Sequence, residues 1–284
     1  LGSSRYILFS LVSAALCYEE PLRYYHENVG IPEAARIKQA EEAVDFDGSR
    51  IVGGSAANLG QYPYLGGLII TLTTGAQSVC GSSLLTNTRL VTAAHCWFDG
   101  RNRGRQVTVV LGSVRLFSGG TRINTPNVQM HGNWNPSTIA NDVAVISINH
   151  VGFSNTINRI NLATGSANYA GTWAQAAGFG LTADNAGITT NQVLSHVTLQ
   201  VITNAVCRGT FGTRIRDSTI CTSGANGRST CRGDSGGPLS ISSGGRRLLI
   251  GSPRSVLLLA SAASLLLCQS YSFSAWINPD FNRN

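Results

Sequence analysis

Three short motifs place a histidine, an aspartate and a serine in that order along the chain. His95 lies in Thr-Ala-Ala-His-Cys, Asp142 precedes an apolar run, and Ser235 lies in Gly-Asp-Ser-Gly-Gly-Pro. A serine hydroxyl becomes an effective nucleophile only when a neighbouring base takes its proton. A histidine can be that base, and a buried carboxylate can hold it in the required tautomer. The motifs therefore predict nucleophilic catalysis by Ser235, with His95 as base and then acid, oriented by Asp142.

Each of these residues also has an ordinary structural interpretation. His95 could be a packed core histidine, Asp142 a capping residue of a turn, and Ser235 a serine of a glycine-rich loop. The glycines on both sides of the serine motif favour catalysis, because they allow a sharp backbone turn and close approach of a substrate. The occurrence of all three motifs in one chain makes the catalytic interpretation the prediction.

A fourth motif lies upstream, where Arg50 is followed directly by Ile-Val-Gly-Gly. Such a junction indicates a site that another protease cuts. Together with the order His, Asp, Ser, it makes the chain resemble the chymotrypsin family of serine endopeptidases. Within that family, residues 24–37 of the leader are similar to those of digestive enzymes of insects such as Lepidoptera. The resemblance runs from residue 51 to about residue 251 and resumes near residue 272.

The resemblance implies further roles around the nucleophile. The N–H groups of Gly233 and Ser235 would form the oxyanion hole, which stabilises the charge that develops on the substrate carbonyl. After a cut behind Arg50, the new amine of Ile51 would fold inward and pair with Asp234. Before the cut no such amine exists, so the oxyanion loop would be poorly formed.

The floor of the primary specificity pocket lies six residues before the nucleophile in this family, which is Ser229 here. A neutral serine cannot neutralise the buried cation of a bound lysine or arginine. The resemblance therefore implies cleavage after large apolar or aromatic residues, as in chymotrypsin. The alternative is that Ser229 is an ordinary loop serine.

Seven cysteines are present, and the resemblance assigns most of them to disulfides. The implied pairs are Cys80 with Cys96 and Cys207 with Cys221. Cys231 also needs a partner, and Cys268 is a doubtful one because it lies in an atypical segment. No cysteine or histidine cluster has the spacing of a metal site, so neither a metal nor another cofactor is expected.

That atypical segment covers residues 252–271. The family has a strand here that pairs with the substrate backbone, whereas this chain has Ser252-Pro253 followed by a run rich in Ser, Ala and Leu. Proline disfavours a paired strand. Three single-base deletions in the coding sequence would convert a family-like segment into this one, so we interpret it as frameshifted. The alternative is a genuinely divergent segment, and substrate preference and activity depend on which is true.

The elements that carry the motifs appear as short apolar runs between glycine and asparagine turns. These runs cover residues 65–72, 106–111, 142–148, 193–202 and 248–251. Many short strands predict an all-β fold of sandwiches or barrels. The resemblance narrows this prediction to two six-stranded antiparallel β-barrels with the catalytic residues in the cleft between them and a helix at the C-terminus.

The first fifty residues differ from the rest. Residues 6–16 are apolar and follow Arg5, which predicts a secretory signal peptide over residues 1–16 with an incomplete start. Residues 17–50 are polar, contain a helix-forming stretch at 32–44, and are predicted to be an activation propeptide. Residues 51–284 would be the peptidase domain. A secreted, extracellular location makes disulfide bonds plausible.

Charge separates this leader from the body of the chain. All six glutamates and the one lysine precede residue 50, whereas residues 51–284 carry sixteen arginines and six aspartates. The arginines are scattered rather than interleaved with aromatic residues, which argues against nucleic-acid binding. Arginine keeps its charge at alkaline pH where lysine loses it, so the body suits an alkaline fluid such as the gut lumen. No apolar run has the length of a membrane span.

The expected function is that of a secreted, zymogen-activated serine endopeptidase acting in digestion. Its expected partners are protein and peptide substrates, an activating trypsin-like protease and protein protease inhibitors, and it is expected to be a monomer. The alternative is a catalytically impaired homologue that binds or regulates. Such homologues usually lack a triad residue, whereas this chain has all three.

Overall fold

The structure is a computed structural model that describes residues 24–43, 55–164, 167–180, 193–223, 233–253 and 270–271. Strands form most of the regular secondary structure in the described residues, and they are arranged in two curled sheets. This confirms the prediction of an all-β fold built from two mainly antiparallel units. The helix expected at the C-terminus lies outside the described residues.

The described strands, in chain order, are β1 (Ser55–Ala56), β2 (Leu65–Leu72), β3 (Gln77–Thr86), β4 (Arg89–Thr92), β5 (Gly104–Leu111), β6 (Thr121–Thr125), β7 (Val128–Met130), β8 (Ala144–Ser147), β9 (Asn161–Leu162), β10 (Trp173–Gly178), β11 (Ser195–Ile202), β12 (Thr219–Thr222), β13 (Leu239–Ser243), β14 (Arg246–Gly251) and β15 (Ser270–Tyr271). The described α-helices are α1 (Ile31–Ala43) and α2 (Asn204–Phe211), and shorter helical turns lie at His26–Gly30, Ala94–Cys96 and Gly212–Arg214. Each of the five apolar runs noted in the sequence overlaps one strand, which confirms those strand predictions.

The first sheet has the order β6–β5–β2–β3–β4–β8–β7, and the second has the order β15–β12–β11–β10–β13–β14–β9 with β1 joined to β11. Within the described residues the sheets therefore have seven and eight strands instead of six each. The difference arises because strands of two or three residues, such as β1, β7, β9 and β15, are added at sheet edges. All strand pairs among the described residues are antiparallel except β9 with β14, which run parallel over two residues.

The position of β2 between two buried clusters explains why its sequence, Leu-Gly-Gly-Leu-Ile-Ile-Thr-Leu, is almost continuously apolar. Successive side chains of a strand point to opposite faces. Leu68, Ile70 and Leu72 pack in the core of the first sheet, whereas Leu65 and Ile69 pack on the other face, in a cluster shared with the second sheet and α1. Both faces are buried, so no polar alternation appears.

The second sheet has a core of its own, made of smaller side chains. Ala174 and Ala176 of β10 pack with Val201, Leu239 and Ile250 of neighbouring strands, and all five are buried. Full burial of a Val, Leu or Ile side chain stabilises the fold by about 1.5–3 kcal/mol. Each sheet therefore has its own hydrophobic core, and the candidate site residues lie where the sheets meet.

Helix α1 agrees with the helix predicted over residues 32–44. Pro32 lies in its first turn, where a missing N–H costs no hydrogen bond. Ala34, Ile37 and Ala40 are three residues apart, share one face and are buried. This face packs against β3 and joins the apolar cluster between the two sheets. The polar leader thus contributes a helix to the folded body.

Two disulfides lie within the residues that the structure describes. Cys80 of β3 is bonded to Cys96, and Cys207 of α2 is bonded to Cys221 of β12. Both are pairs that the family resemblance implied. A native disulfide typically stabilises a fold by about 2–4 kcal/mol. The first bond matters for the site, because it fixes the turn that carries His95 against β3.

Candidate active site

His95 lies in the helical turn Ala94–Cys96, shortly after β4. The disulfide of Cys96 ties this turn to β3, and the backbone N–H of Trp97 closes it by donating to the carbonyl of Ala94 at 2.9 Å. Only 3% of the His95 surface is exposed. The ring position is therefore set by the fold.

Asp142 reaches His95 because β4 and β8 are antiparallel neighbours. Thr92 at the end of β4 pairs with Ala144 at the start of β8, so the residues after β4 and before β8 meet at the same end of the sheet. Asp142 Oδ2 lies 2.7 Å from His95 Nδ1, and Oδ1 accepts a hydrogen bond from the His95 backbone N–H at 2.8 Å. Both residues are buried, and low solvent access strengthens these interactions.

Asn141 shapes the turn that presents Asp142. Its φ is +59°, a left-handed conformation in which asparagine is several-fold enriched. Its side-chain amide donates to the carbonyl of Asn133 at 2.9 Å, and its own carbonyl accepts from the N–H of Val143 at 2.9 Å. These hydrogen bonds therefore fix the backbone next to Asp142, and so they help to fix the position of its carboxylate.

Ser235 lies on a tight loop that precedes β13. Gly233 and Gly236 have φ values of +97° and +85°, which favour glycine. A Cβ on Gly236 would lie 2.5 Å from the carbonyl oxygen of Gly81 in β3. The Ser235 carbonyl also accepts a hydrogen bond from the N–H of Gly81 at 2.7 Å. The loop can therefore lie directly on β3 only because these positions are glycines.

The three candidate residues meet beside β3. Cys96 Sγ lies 3.8 Å from His95 Nε2 and 3.7 Å from the Ser235 carbonyl oxygen, so Nε2 lies on the side of the serine loop while Nδ1 faces Asp142. Tyr25 joins them, since its ring centroid is 4.6 Å from that of His95 and its side chain is hydrogen bonded to Ser235. An imidazole between a carboxylate and a serine can support nucleophilic acyl transfer.

A cluster with metal-ligand residue types lies at the same place. The sulfur atoms of Cys80 and Cys96 and a ring nitrogen of His95 are within 4.8 Å of one another. Zinc-binding cysteines are free thiolates, whereas these two form a disulfide, and Asp142 holds Nδ1 of the histidine. The cluster is therefore a structural disulfide next to His95 rather than a metal site.

Comparison with known proteins decides the family. The sequence profile of the Trypsin family matches residues 51–252, which include His95, Asp142 and Ser235. The chain belongs to the trypsin family of serine proteases. This membership makes it a serine endopeptidase that acts on proteins. The match ends where the atypical run rich in Ser, Ala and Leu begins.

Individual trypsin-family proteins resemble the chain over most of its length. It is 36% identical over 206 residues to collagenase of Hypoderma lineatum, covering 71% of this chain and 75% of that protein. It is 32% identical over 233 residues to serine protease 1 of Drosophila melanogaster, covering 80% and 84%. A solved structure of HL collagenase matches with a TM-score of 0.70 and 33% identity, covering 79% of this chain and 94% of that one.

In this serine protease Asp234 lies against the backbone of residues 178–180. Its Oδ1 accepts a hydrogen bond from the N–H of Gly180 at 2.8 Å. A Cβ on Gly178 would lie 2.2 Å from the same oxygen, so that position needs a glycine. Asp234 is flanked by Gly233 and Ser235, the two proposed oxyanion donors. Any change in its hydrogen-bond partner would therefore act on the oxyanion loop.

Five residues to which the sequence assigned roles lie outside the described part of the protease. They are Arg50, Ile51, Ser229, Cys231 and Cys268. Their roles in activation, specificity and disulfide bonding remain predictions. Among the described helices, none has the length and apolar character needed to cross a membrane.

Tyr25 is the site residue that the sequence analysis missed. It is 3% exposed, its hydroxyl donates to the carbonyl of Val79 in β3 at 2.9 Å, and burial raises its pKa. The available signal was the run Tyr24-Tyr25-His26, which lies five residues upstream of the predicted helix. That run shows an aromatic cluster in a polar leader, but it does not show which surface the cluster covers.

Proposed function

We propose that this protease is secreted as a zymogen and cleaves after large apolar or aromatic residues, with His95, Asp142 and Ser235 as its catalytic triad. Family membership supports the peptidase activity. The observation that carries the triad assignment is the buried 2.7 Å contact between Asp142 and His95 beside the Ser235 loop. These residues come from separate parts of the chain, and their proximity supports the assignment.

The chemistry follows from this geometry. Asp142 keeps the ring proton of His95 on Nδ1, so Nε2 is free to take the proton of Ser235 as its Oγ attacks the substrate carbonyl. The N–H groups of Gly233 and Ser235 would then bind the oxyanion, and one such donor lowers the barrier by about 2.7–4 kcal/mol. His95 next gives the proton to the leaving amine. Water removes the acyl group by the same steps.

A covalent serine reagent tests the proposed nucleophile. We expect the full chain, after treatment with trypsin, to hydrolyse peptide substrates and to lose this activity on reaction with diisopropyl fluorophosphate. Mass spectrometry should locate one adduct, on Ser235. The Ser243→Ala variant, altered at the exposed last residue of β13, should react like the unmodified sequence. An adduct on another residue with full loss of activity would refute the assignment of Ser235.

A catalytically impaired homologue that binds without cleaving is the second candidate. It is favoured by one observation, the departure of the chain from the family pattern after residue 252, where the family has its substrate-pairing strand. The contact between His95 and Asp142 favours the enzyme instead, because impaired homologues have no need to maintain it. The turnover assay with trypsin-treated protein separates the two candidates.

The remaining organisation is also proposed. Residues 1–16 are a signal peptide, residues 17–50 an activation propeptide and residues 51–284 the peptidase domain. A trypsin-like protease would cut after Arg50. The mature enzyme would act as a monomer in an alkaline gut lumen, where protein protease inhibitors would be its regulators. The arginine-rich, lysine-free body supports this location.

Substrate preference gives a direct test of the pocket prediction. Four peptides that differ only in the residue before the cleaved bond, namely Phe, Leu, Lys or Arg, would be compared by kcat/KM. We expect Phe to exceed Lys and Arg by at least about a hundredfold, because a cation in a pocket floored by Ser229 would have no countercharge. The Ser229→Asp variant should move the preference toward Lys and Arg. Faster cleavage after Lys or Arg by the unmodified enzyme would contradict the prediction.

A further inference from the structure

Residues 24–43, which we name the docked segment, lie over the site that a substrate must reach. Tyr25 of this segment contacts two residues of the triad. Its ring meets that of His95 edge-on, with 4.6 Å between centroids and 63° between planes, and its side chain is hydrogen bonded to Ser235. The exposed fraction of Ser235 is 0%. With the segment in this position, the nucleophile is inaccessible to a protein substrate.

Polar contacts fix the residues that follow Tyr25. The His26 backbone N–H donates to Asp99 Oδ2 at 2.9 Å, and His26 Nδ1 lies 2.7 Å from Ser78 Oγ in β3. Glu27 accepts a hydrogen bond from Arg101 Nη1 at 3.0 Å. The front of the segment is therefore held both by β3 and by the loop that follows the His95 turn.

The rest of the segment is held by burial and by one acidic side chain. Ile37 and Ala40 have exposed fractions of 0%. At the far end, Glu41 accepts hydrogen bonds from the backbone N–H of Phe117 at 3.0 Å and from the Ser118 hydroxyl at 3.1 Å. The segment is thus anchored at both ends and along its apolar face, as a specific inhibitor would be.

We infer that the docked segment is an inhibitor of the active site of its own chain, and that it stays bound after the cut behind Arg50 until it dissociates. Every contact described above is made by residues 25–41, so hydrolysis of the bond after Arg50 breaks none of them. Activation then requires two events, the cut and the release of the segment. This inference rests on the proposed peptidase function.

A synthetic peptide of residues 24–43 tests the inference in trans. The full chain is activated with bead-bound trypsin, the beads are removed, and dialysis continues until activity stops rising. The added peptide should inhibit competitively and be recovered intact by mass spectrometry. A Tyr25→Ala peptide should bind at least about thirtyfold more weakly, since buried aromatic anchors dominate such interfaces.

A Lys38→Ala peptide is the matched control. The Lys38 ammonium is exposed and pairs with Glu42 of the same helix at 4.0 Å, so this peptide should inhibit within about twofold of the unmodified one. A Gly30→Val peptide should bind weakly, because a Cβ there would lie 1.9 Å from Ser78 Oγ. Cleavage of the unmodified peptide, or equal inhibition by the Tyr25→Ala peptide, would overturn the inference.

Failure of the proposed function gives a different result. A trypsin-treated protein that cleaves no substrate refutes the peptidase activity and leaves the docking measurable. Fluorescence anisotropy with a peptide labelled at its C-terminus should then show saturable binding. The affinities of the peptide variants should follow the same order as in the inhibition assay. Absence of saturable binding would refute the docking itself.

The pH dependence of peptide affinity at alkaline pH gives a second readout. Burial raises the pKa of Tyr25, which also faces His95, Ser235, Glu33 and Asp234. A free tyrosine ionises near pH 10, so ionisation above that pH favours the released peptide. Affinity should be full below about pH 10 and fall by up to about tenfold per pH unit above it. A Tyr25→Phe peptide should lack this fall.

The pH dependence of peptide affinity at acid pH is expected to come from His26. Burial lowers the pKa of His26 from 6.5 to about 4, against the attraction of Asp99 and with added repulsion from His95, while the Tyr25 ring lies 5.7 Å away. A side chain that is neutral when docked and protonated when free favours release in acid. Affinity should be full above about pH 6.5 and fall towards pH 4. In anisotropy titrations, the affinity of a His26→Gln peptide should fall less than that of the unmodified peptide between pH 6.5 and pH 4. Identical pH dependence of the two affinities would refute this role of His26.

Discussion

The Asp142→Asn variant should lose about four orders of magnitude in kcat and keep its fold. In the structure the two carboxylate oxygens accept from two donors, the backbone N–H and the ring Nδ1–H of His95. An asparagine offers one oxygen and one NH₂ group. The backbone N–H cannot change its proton, so the amide oxygen must face it and the NH₂ group must face Nδ1. The ring proton then moves to Nε2, where it blocks uptake of the proton of Ser235.

Steady-state kinetics on trypsin-treated protein measure this loss. The KM should change little, because Asp142 lies behind the imidazole and does not touch substrate. The matched control is Asp217→Asn, which alters an exposed carboxylate on the loop before β12 and should leave kcat within about twofold. Thermal unfolding by circular dichroism checks the fold of both variants. A loss below about tenfold in Asp142→Asn would mean that His95 does not depend on this carboxylate for its tautomer.

The candidate triad could be predicted from the sequence because each member sits in a short motif at the end of a strand. A strand-like run was predicted after Asp142 but none directly before His95, so the proximity of these residues was expected from the family resemblance and not from the strand pattern. The register that aligns Thr92 with Ala144 could not be predicted, since it depends on pairing between strands about fifty residues apart. The same reason explains the short edge strands β1, β9 and β15. These form through tertiary pairing and have little propensity of their own.

The docked segment shows the limit of local prediction more clearly. Helix α1 could be predicted because Pro32 and a run of alanine, glutamate and lysine favour a helix whatever surrounds it. Its position could not, because it depends on matches with distant residues, such as Gly30 against Ser78 and Glu41 against the N–H of Phe117. The acidity of the leader now has a structural reason, since Glu27 and Glu41 are two of its anchors. Ionisation of Tyr25 would favour release of the segment in a strongly alkaline fluid, such as that of the proposed gut lumen.

The Arg50→Gln variant should remain at least about a thousandfold less active than the unmodified protein after treatment with trypsin. Without a cut, no amine forms at Ile51 to pair with Asp234, and a distorted oxyanion loop loses about a hundredfold to a thousandfold per donor. In the uncut chain Asp234 accepts from the N–H of Gly180 instead. The Arg105→Gln variant, which alters an exposed arginine of β5, is the control and should activate normally. N-terminal sequencing confirms where each protein is cut.

The double variant Arg50→Gln with Tyr25→Ala separates the two barriers to activity. It removes the main anchor of the docked segment and still provides no amine for Asp234. Continued inactivity is expected, because an accessible Ser235 is not sufficient without an ordered oxyanion loop. Activity in the double variant, with the single Arg50→Gln variant inactive, would make the docked segment the only barrier and refute the pairing of Ile51 with Asp234 as the activating step. Activity in the single variant would refute the need for a cut altogether.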